Sequence, residues 1–265
     1  MTFLFVIPLL YLVYLGVGHF AGRVFMYPGA GLISLEPEPR PAGVEELTID
    51  TNDGASHAWY FPSRTAPPAP LLVFFHGNGE LISHNTAIAE TYVNNGFAVL
   101  MPEYRGYYGS DGHPSQAGIV GDSLRFIELV SSRDEIDPSR IVYHGFSLGG
   151  GIAGAVTAER EPAALVLSST FRSMGAMFGR YGLPGFVAPD PYPTARTIET
   201  IGCPVLVTHG SNDRIVPTAE GRRLGSIGDT RFFEFPAGHN DALAQPEVWI
   251  EIIPFVLEAI GPGSP

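Results

Sequence analysis

The sequence Gly145-Phe146-Ser147-Leu148-Gly149 places one serine between two glycines, directly after the apolar run IVYH at residues 141–144. The run is typical of a short buried strand, and the small residues at 150–153 are typical of a helix start. A strand, a Gly-x-Ser-x-Gly turn and a helix form a nucleophile elbow, which is too tight for larger side chains at the two glycine positions. The turn exposes the serine hydroxyl and aims the N-terminus of the next helix at it. Because a chain with 32 glycines can contain such a pentapeptide by chance, its partners matter.

Candidate partners for Ser147 follow it in the chain. A serine hydroxyl is a weak nucleophile until a base takes its proton, and that base needs an orienting acid. In proteins with a nucleophile elbow, the triad residues follow one another along the chain in the order serine, acid, histidine. His209 ends a predicted buried strand, Asp213 lies on the loop after it, and His239 lies in a later turn. This order predicts a catalytic triad of Ser147, Asp213 and His239, against the simpler interpretation of the last two as solvated turn residues.

The loop HGNG at residues 76–79 follows another continuous apolar run. Acyl transfer needs backbone N–H groups that point at the developing negative charge. Glycines allow this loop to turn its amides toward the elbow. We therefore expect an oxyanion hole made by the N–H groups of Leu148 and Asn78, with Gly79 as the next candidate. His76 precedes the serine in the chain, so we expect it to hold the loop and not to act as the base.

Predicted strands and helices alternate along most of the chain. We predict strands near residues 71–76, 97–102, 141–144, 163–168, 204–208 and 231–235, and helices near 83–95, 115–131, 148–160, 217–227 and 245–260. Such alternation builds a mostly parallel sheet that is flanked by helices on both faces, which is the α/β class. Before it, residues 44–49 and 56–61 alternate around Asn52-Asp53-Gly54, which indicates an N-terminal antiparallel hairpin. All the motifs above fall at carboxyl ends of strands, where such sheets carry their sites.

The chain resembles an α/β-hydrolase, in particular the small branch with an N-terminal membrane segment and almost no lid. The resemblance covers residues 23 to 260, and it rests on Met26-Tyr27-Pro28, His76-Gly77-Asn78-Gly79, Glu103-Tyr104-Arg105-Gly106, Gly145-Phe146-Ser147-Leu148-Gly149, His209-Gly210, Asp213, Val216-Pro217 and Gly238-His239. It implies the α/β-hydrolase fold and a serine hydrolase that works through an acyl-enzyme, most often on carboxylic esters. The family usually has Asp where Glu103 stands and a single Tyr where this chain has Tyr107-Tyr108. These departures concern the shape of the substrate site.

Length and charge limit the classes of function. The 265 residues suit one domain with a large core. The formal charge is −12 and all fifteen basic residues are arginine, so the chain lacks the clustered positive charge that nucleic-acid binding needs. No His, Cys or Asp cluster has the spacing of metal ligands, and we expect neither a metal nor a cofactor. The single Cys203 permits no intrachain disulfide, which leaves the redox compartment open.

The first residues of the chain are apolar and carry no formal charge from residue 2 to 22. About 20 apolar residues are needed to span a bilayer, and this stretch reaches that length when its glycines and His19 are counted. A signal peptide is disfavoured because no basic region precedes the run and no clean cleavage site follows it. A span and a helix that lies in the interface or on the enzyme's own apolar surface both stay open. We predict a membrane-associated helix at 1–22, a linker at 23–43 and a catalytic domain at 44–265.

The segment 170–202 falls where α/β-hydrolases insert a cap. Phe171, Met174, Met177, Phe178 and Tyr181 recur there at roughly helical spacing, which is compatible with core packing or with an acyl pocket. We expect Met174, Met177 and Phe178 to contact substrate. A cap this short indicates an open, modest cleft for short to medium acyl esters.

Other residues near the expected site are further candidates for substrate contact or for the triad acid. We also predict Tyr104 and Phe146 as substrate contacts. Tyr104, Tyr107, Tyr108 and His113 share one loop, where they line the rim or form a hydrogen-bonded loop; the second interpretation is favoured. Asp190 is an alternative triad acid, although Asp213 has the better loop context.

These patterns predict a serine carboxylic-ester hydrolase with a small-molecule ester or lipid substrate. The same triad also suits a lysophospholipid, thioester, amide or peptide bond. Dehalogenase and epoxide hydrolase chemistry would require Asp in place of Ser147. An inactive membrane-tethered scaffold is a further alternative, which the intact triad residues disfavour.

Overall fold

The computed structural model describes residues 3–261. Its centre is one sheet of eight strands in the order β1-β2-β4-β3-β5-β6-β7-β8. The strands are β1 (Glu45–Thr51), β2 (Gly54–Phe61), β3 (Ala69–Phe75), β4 (Ala98–Pro102), β5 (Ile136–Phe146), β6 (Ala164–Ser168), β7 (Val205–Gly210) and β8 (Arg231–Phe235). Strand β2 is antiparallel to β1 and β4, and every other neighbouring pair is parallel. The predicted α/β-hydrolase fold with an antiparallel N-terminal hairpin is confirmed.

Helices cover both faces of this sheet. The helices of the described chain are α1 (Phe3–Met26), α2 (Thr86–Asn94), α3 (Gln116–Ser131), α4 (Leu148–Glu159), α5 (Met174–Gly179), α6 (Thr194–Ile198), α7 (Thr218–Leu224) and α8 (Pro246–Ile260), of which α1 lies outside the sheet layers. All seven residues of β3 are buried, and they alternate between two apolar cores. Leu71, Val73 and Phe75 face the core shared with α3 and α4, whereas Leu72 and Phe74 face the core shared with α2 and α8. Two-sided burial of this kind explains why β3 reads as a continuous apolar run.

The largest difference from the predicted elements is in β5, which begins at Ile136 and not near residue 141. Ile136 pairs with Ala69, and the register shifts before the regular pairing of Leu71 with Ile141 resumes. Between them the chain reads Asp-Pro-Ser, and Ser139 N–H donates to the Asp137 carboxylate at 3.0 Å. Turn-forming residues of this type have no alternating apolar pattern, so the sequence does not reveal the early part of the strand.

Helix α1 continues to Met26, beyond the predicted end of the apolar segment at residue 22. Its stretch Val6–Met26 is long and apolar enough to cross a membrane, by length and composition, with a mean hydropathy of 1.4. Only 11% of that stretch is buried, so α1 is not a core helix of the domain. The linker that follows contains a short 3₁₀ turn, Pro28–Ala30, and no further helix or strand before β1.

The cap segment 170–202 holds α5, the 3₁₀ turn Gly185–Val187 and α6. Helix α5 is six residues long, so the Met and Phe positions of the predicted helical stripe occupy little more than one turn. Ser173 caps this helix, and its side-chain oxygen accepts the N–H of Ala176 at 3.1 Å. The cap therefore covers the carboxyl edge of the sheet with short elements.

Candidate active site

Ser147 lies in the turn between β5 and α4, with φ 54° and ψ −119°. Left-handed φ values are unfavourable for a residue with a side chain, and this one is held by its surroundings. Its N–H donates to the Ser168 carbonyl at 2.9 Å. A Cβ atom at Gly145 would overlap the Gly149 carbonyl, and one at Gly149 would overlap the Phe75 carbonyl. The two glycines are therefore required by close backbone contacts, and they let the turn present the serine hydroxyl.

Ser147, His239 and Asp213 come together at the carboxyl edge of the sheet. The Oγ atom of Ser147 lies 2.9 Å from Nε2 of His239. On the other side of the ring, Nδ1 of His239 lies 2.6 Å from Oδ2 of Asp213. A carboxylate only accepts, so Nδ1 carries the proton and the Nε2 lone pair faces the hydroxyl. All three residues are buried, and the geometry allows His239 to accept the Ser147 proton.

The carboxylate of Asp213 has four hydrogen-bond neighbours. Its Oδ1 atom accepts the N–H groups of Ile215 and Val216, both at 2.9 Å. Its Oδ2 atom faces His239 and also lies 3.3 Å from Nε2 of His209. Burial raises the pKa of Asp213, but the hydrogen bonds from His209 and His239 outweigh burial and hold that pKa well below its usual range. The carboxyl group therefore stays ionised and fixes the tautomer of His239.

The two residues predicted to form the oxyanion hole line the same cavity as the serine. Leu148 opens helix α4, and Leu148, Asn78 and Ser147 line the same cavity. Among residues 3–261, neither amide N–H donates to a protein acceptor. The Asn78 residue is fixed by its other groups, because its carbonyl accepts the Tyr107 hydroxyl at 2.8 Å and its side chain donates to the Met26 carbonyl at 3.3 Å. Both N–H groups are thus available to an oxyanion, whereas Gly79 does not line the cavity.

A buried histidine holds the loop that carries Asn78. Nδ1 of His76 donates to the Gly77 carbonyl at 2.8 Å, and Nε2 donates to Glu103 at 2.9 Å. Burial lowers the pKa of His76, but the Glu103 charge and hydrogen bond outweigh burial and raise it above its ordinary value. Glu103 also accepts the Ile82 N–H at 3.0 Å. The glutamate that replaces the family's usual aspartate therefore serves as the buried counter-charge of this loop.

Comparison with known proteins bears on the family of this chain. The family model described as alpha/beta hydrolase fold matches residues 70–186. Uncharacterized protein Rv2307c of Mycobacterium tuberculosis is 34% identical over 227 residues, which are 83% of this chain and 80% of that protein. The alpha/beta hydrolase domain-containing protein WAV2 of Arabidopsis thaliana is 33% identical over 220 residues, 73% of this chain and 71% of that protein. The chain belongs to the α/β-hydrolase family. Membership supports hydrolase activity in general.

Solved structures agree with this α/β-hydrolase in fold. Est1E from Butyrivibrio proteoclasticus, solved with bound ferulic acid, superposes with a TM-score of 0.69 at 21% identity. The match covers 81% of this chain and 99% of that chain. The alpha/beta hydrolase GrgF from a Penicillium species gives a TM-score of 0.69 at 14% identity, with 82% of this chain and 99% of that chain covered. At these identities the likeness concerns the fold alone.

The candidate active site opens into an apolar cavity of about 550 Å³. Ser147, Leu148 and Asn78 are among the residues that line it. Its walls come from three parts of the chain: Tyr14, Val17, Gly18, Gly22, Phe25 and Met26 of α1; Phe171, Met174, Met177, Phe178, Tyr181 and Leu183 of the cap; and Ile215 and Val216 of the loop after β7. The volume is within the range of about 300–1,000 Å³ that is usual for small-molecule sites. Met174, Met177 and Phe178 thus lie where a substrate contact was predicted.

Tyr104 and Phe146, in contrast, do not line the cavity. Tyr104 is buried, its ring stacks on His76 with centroids 3.9 Å apart, and its hydroxyl donates to the His76 carbonyl at 2.7 Å. The ring of Phe146 packs beside the His239 imidazole at 5.2 Å. Neither residue lines the cavity in which a substrate contact was predicted, and both pack beside histidines of the candidate site. The hydrogen-bonded interpretation of the tyrosine loop agrees with the bonds of Tyr104 and Tyr107, while Tyr108 is exposed.

Asp190, the alternative triad acid, has other partners. Its carboxylate accepts from Arg23 at 3.0 Å, from the Tyr27 hydroxyl at 3.3 Å and from the Gln116 N–H at 3.0 Å. The residue ties helix α1 to the cap and to the start of α3, and it makes no hydrogen bond to His239. Within the part of the chain described here, no group of three or more His, Cys, Asp or Glu side chains could hold a metal ion.

Sequence reasoning missed two contributions to the site. Helix α1 supplies one wall of the cavity, which its uniformly apolar composition does not indicate. His209 is fully buried beside Asp213, and its Nε2 atom donates to the Val216 carbonyl at 2.9 Å. The i, i+4 spacing of His209 and Asp213 across a strand end was the available signal.

Proposed function

We propose that this α/β-hydrolase is a serine hydrolase of carboxylic esters that works through an acyl-enzyme. One observation carries the proposal: the Ser147 Oγ atom lies 2.9 Å from His239 Nε2, and His239 Nδ1 lies 2.6 Å from Asp213. This arrangement has the order and the roles of a serine–histidine–acid triad. Its serine lines an apolar cavity, which suits an acyl group.

In the acylation step, His239 Nε2 takes the proton of the Ser147 hydroxyl as Oγ forms a bond to the ester carbonyl carbon. The π electrons of the C=O bond move to its oxygen, and the N–H groups of Leu148 and Asn78 stabilise the resulting charge. When the C=O bond reforms, the C–O bond to the alcohol breaks. The departing oxygen takes the proton from His239, so alcohol leaves and the acyl group stays on Ser147.

In the deacylation step, a water molecule replaces the alcohol. His239 takes one proton of the water as its oxygen bonds to the acyl carbon, and the same two amides hold the oxyanion. Collapse breaks the bond to Ser147 Oγ, which recovers its proton from His239. The products are a carboxylic acid and the free enzyme. Asp213 stays ionised throughout and stabilises the imidazolium that forms twice per cycle.

Hydrolysis of p-nitrophenyl esters from acetate to palmitate tests the proposal. We expect turnover by the wild type and a loss on the order of 10⁶ in kcat for Ser147→Ala. Ser132→Ala, an exposed serine on the surface of the domain, is the matched control and should retain full activity. An active-site phosphonate should add to Ser147 in the wild type only.

Three outcomes would contradict the ester assignment in different ways. Labelled Ser147 without turnover of any ester would move the assignment to thioesters, amides or peptides. An enzyme that resists the phosphonate and hydrolyses nothing would favour an inactive scaffold. Equal activity in wild type and Ser147→Ala would exclude Ser147 as the nucleophile.

A further inference from the structure

One face of helix α1 forms a continuous wall of the cavity. The residues on this face are Tyr14, Val17, Gly18, Gly22, Phe25 and Met26, and they follow the three- and four-residue spacing of a single helix face. From Met26, beside Asn78 at the catalytic end, to Tyr14 the helix rises about 18 Å. An extended alkyl chain with bonds of about 1.5 Å reaches this length at roughly 14 carbons. The wall is therefore long enough for a medium to long single acyl chain.

The same half of α1 is docked on the cap. The Tyr14 hydroxyl donates to the Tyr181 carbonyl at 2.5 Å, and His19 Nδ1 lies 3.2 Å from the Val187 carbonyl. Close packing accompanies these bonds, because a Cβ atom at Gly22 would lie 2.9 Å from Pro189. Helix and cap thus form one unit, and the surface of one continues into that of the other.

This composite surface exposes large apolar side chains to its surroundings. All of residues 6–13 of α1 are exposed. Phe20 on the docked half is 85% exposed, and Phe186 on the cap is 80% exposed. Clusters of exposed apolar side chains of this size mark contact with a membrane or another protein. We call the surface formed by residues 6–13, Phe20, Tyr181 and Phe186 the apolar face.

The mouth of the cavity opens beside the apolar face. Tyr181 and Ile215 both line the cavity and are exposed, and each has an arginine as its chain neighbour. The Arg180 guanidinium donates to the Ile215 carbonyl at 2.7 Å. In the described part of the chain, no carboxylate pairs with Arg180 or Arg214, although the chain as a whole has a net charge of −12. Aromatic rings with unpaired arginines beside an apolar surface fit the headgroup layer of a phospholipid leaflet.

The docking of α1 restricts how it can enter a membrane. A full span would place all of Val6–Met26 in hydrocarbon, which would require residues 14–26 to leave the cap and break the Arg23–Asp190 ion pair. The undocked residues 6–13 are about 12 Å long, close to the depth of one leaflet in a bilayer with about 30 Å of hydrocarbon. A helix that enters one leaflet together with the cap keeps every observed contact.

From these observations we infer that the apolar face docks in one leaflet of a phospholipid membrane, and that the cavity takes from it esters with a single long acyl chain, such as a lysophospholipid or a monoacylglycerol. The inference rests on the proposed ester hydrolysis at Ser147. It extends the acyl length beyond the short to medium range that the cap alone indicates, because α1 lengthens the cavity. The acyl chain lies along α1 and its ester group reaches Ser147.

Quenching of tryptophan fluorescence tests the docking part without any substrate. The full chain is mixed with vesicles of phosphatidylcholine and phosphatidylglycerol whose acyl chains carry bromine. The Phe186→Trp variant should be quenched beyond the wild-type background of Trp59 and Trp249. Ile250→Trp, an exposed apolar position on α8, is the matched control and should not be quenched.

A wild type that floats with vesicles while Phe186→Trp stays unquenched would show that α1 enters alone, and would overturn the docking. A chain that dimerises through the apolar face and leaves the vesicles unbound would overturn it too.

Paired substrates test the acyl ester part. We expect the wild type to hydrolyse p-nitrophenyl butyrate in water and 1-palmitoyl lysophosphatidylcholine or monopalmitoylglycerol in vesicles. The double variant Phe20→Ser, Phe186→Ser should lose at least about tenfold of the rate on the vesicle substrates and keep the rate on the butyrate ester. Ile250→Ser should keep both.

The outcomes separate this inference from the proposed function. Butyrate hydrolysis that depends on Ser147, without turnover of either palmitoyl ester, would overturn the long-chain substrate and leave ester hydrolysis intact. A double variant that retains its rate on the vesicle substrates would overturn the leaflet route. Failure of the wild type on every ester, with Ser147 unlabelled by phosphonate, would overturn the proposed function, and the fluorescence result would still decide the docking.

Discussion

His209 and His239 share one carboxylate oxygen: Oδ2 of Asp213 lies 2.6 Å from Nδ1 of His239 and 3.3 Å from Nε2 of His209. His209 is fully buried and does not line the cavity, so it acts on the reaction only through Asp213. Its Nε2–H donates to the Val216 carbonyl at 2.9 Å and lies beside the Asp213 carboxylate. The second histidine thus helps to position Asp213, the acid of the proposed triad.

Replacement of His209 should impair the proposed triad without removing it. His209→Phe fills the space but removes the polar N–H that lies 3.3 Å from the Asp213 carboxylate, and the loss of a polar partner for a buried charge costs about 1.5–3 kcal/mol. We expect kcat to fall about tenfold to a hundredfold while KM stays near the wild-type value, because no substrate contact is lost. Steady-state kinetics on p-nitrophenyl butyrate measure both constants. His84→Gln, an exposed histidine far from Asp213 in sequence, should leave them unchanged. An equal loss in both variants would refute the positioning role.

The two candidate acids should respond differently to the same substitution. Asp213→Asn is expected to lower kcat on the order of 10⁴, because the amide favours the wrong tautomer of His239. Asp190→Asn should retain the triad, since the Asp190 carboxylate bonds to Arg23, Tyr27 and Gln116. Kinetics on p-nitrophenyl butyrate with circular dichroism as a folding control compare the two variants. A folded Asp190→Asn enzyme with a 10⁴-fold loss would make Asp190 the acid.

The parts of the fold that were predicted from sequence have local causes. Strand β3 is apolar along its whole length because both of its faces are buried, and the elbow needs Gly145 and Gly149 because backbone atoms lie against them. Constraints of this kind can be recognised in a stretch of a few consecutive residues. The family order of serine, acid and histidine then selects three residues that lie far apart in sequence.

The parts that were missed depend on which side of an element faces which neighbour. Helix α1 is apolar except for His19 and Arg23, so its composition alone does not separate the face on the cavity from the face on the surroundings. Phe146 precedes the nucleophile in the turn, but its side chain packs on His239 and not toward substrate. Tertiary packing determines which way α1 and the Phe146 side chain face, and no periodic pattern in the sequence indicates that orientation.

The elbow glycine Gly149 and the surface glycine Gly121 should respond with opposite signs to alanine. A Cβ atom at Gly149 would overlap the Phe75 carbonyl, so Gly149→Ala should lower the free energy of unfolding by about 3 kcal/mol or more. At Gly121 in α3 no atom lies within 4 Å of the added Cβ. Gly121→Ala should therefore raise the free energy of unfolding by about 0.5–1 kcal/mol through helix propensity. Urea denaturation measures the free energy of unfolding of both variants. A Gly149→Ala variant as stable as the wild type would contradict the elbow geometry.

A buried histidine outside the site should make stability depend on pH. His144 lies in β5, where Nδ1 is 2.9 Å from the Tyr92 hydroxyl and Nε2 is 2.8 Å from Ser168 Oγ. Burial lowers the pKa of His144 from 6.5 to about 3. Between these values the unfolded chain binds a proton that the folded chain does not, so stability is lost as the pH falls from 6.5 toward 3.

The slope from this one group reaches about 1.4 kcal/mol per pH unit. His144→Gln cannot take up this proton, so we expect it to be less stable than the wild type at pH 7 and to close the gap by roughly 3 kcal/mol at pH 4. Urea denaturation at pH 4, 5, 6 and 7 measures the gap. Ser132→Ala, an exposed position without a titratable side chain, serves as the control, and its curve should parallel that of the wild type. A gap between wild type and His144→Gln that is constant with pH would show that His144 binds its proton equally well in the folded and unfolded chains.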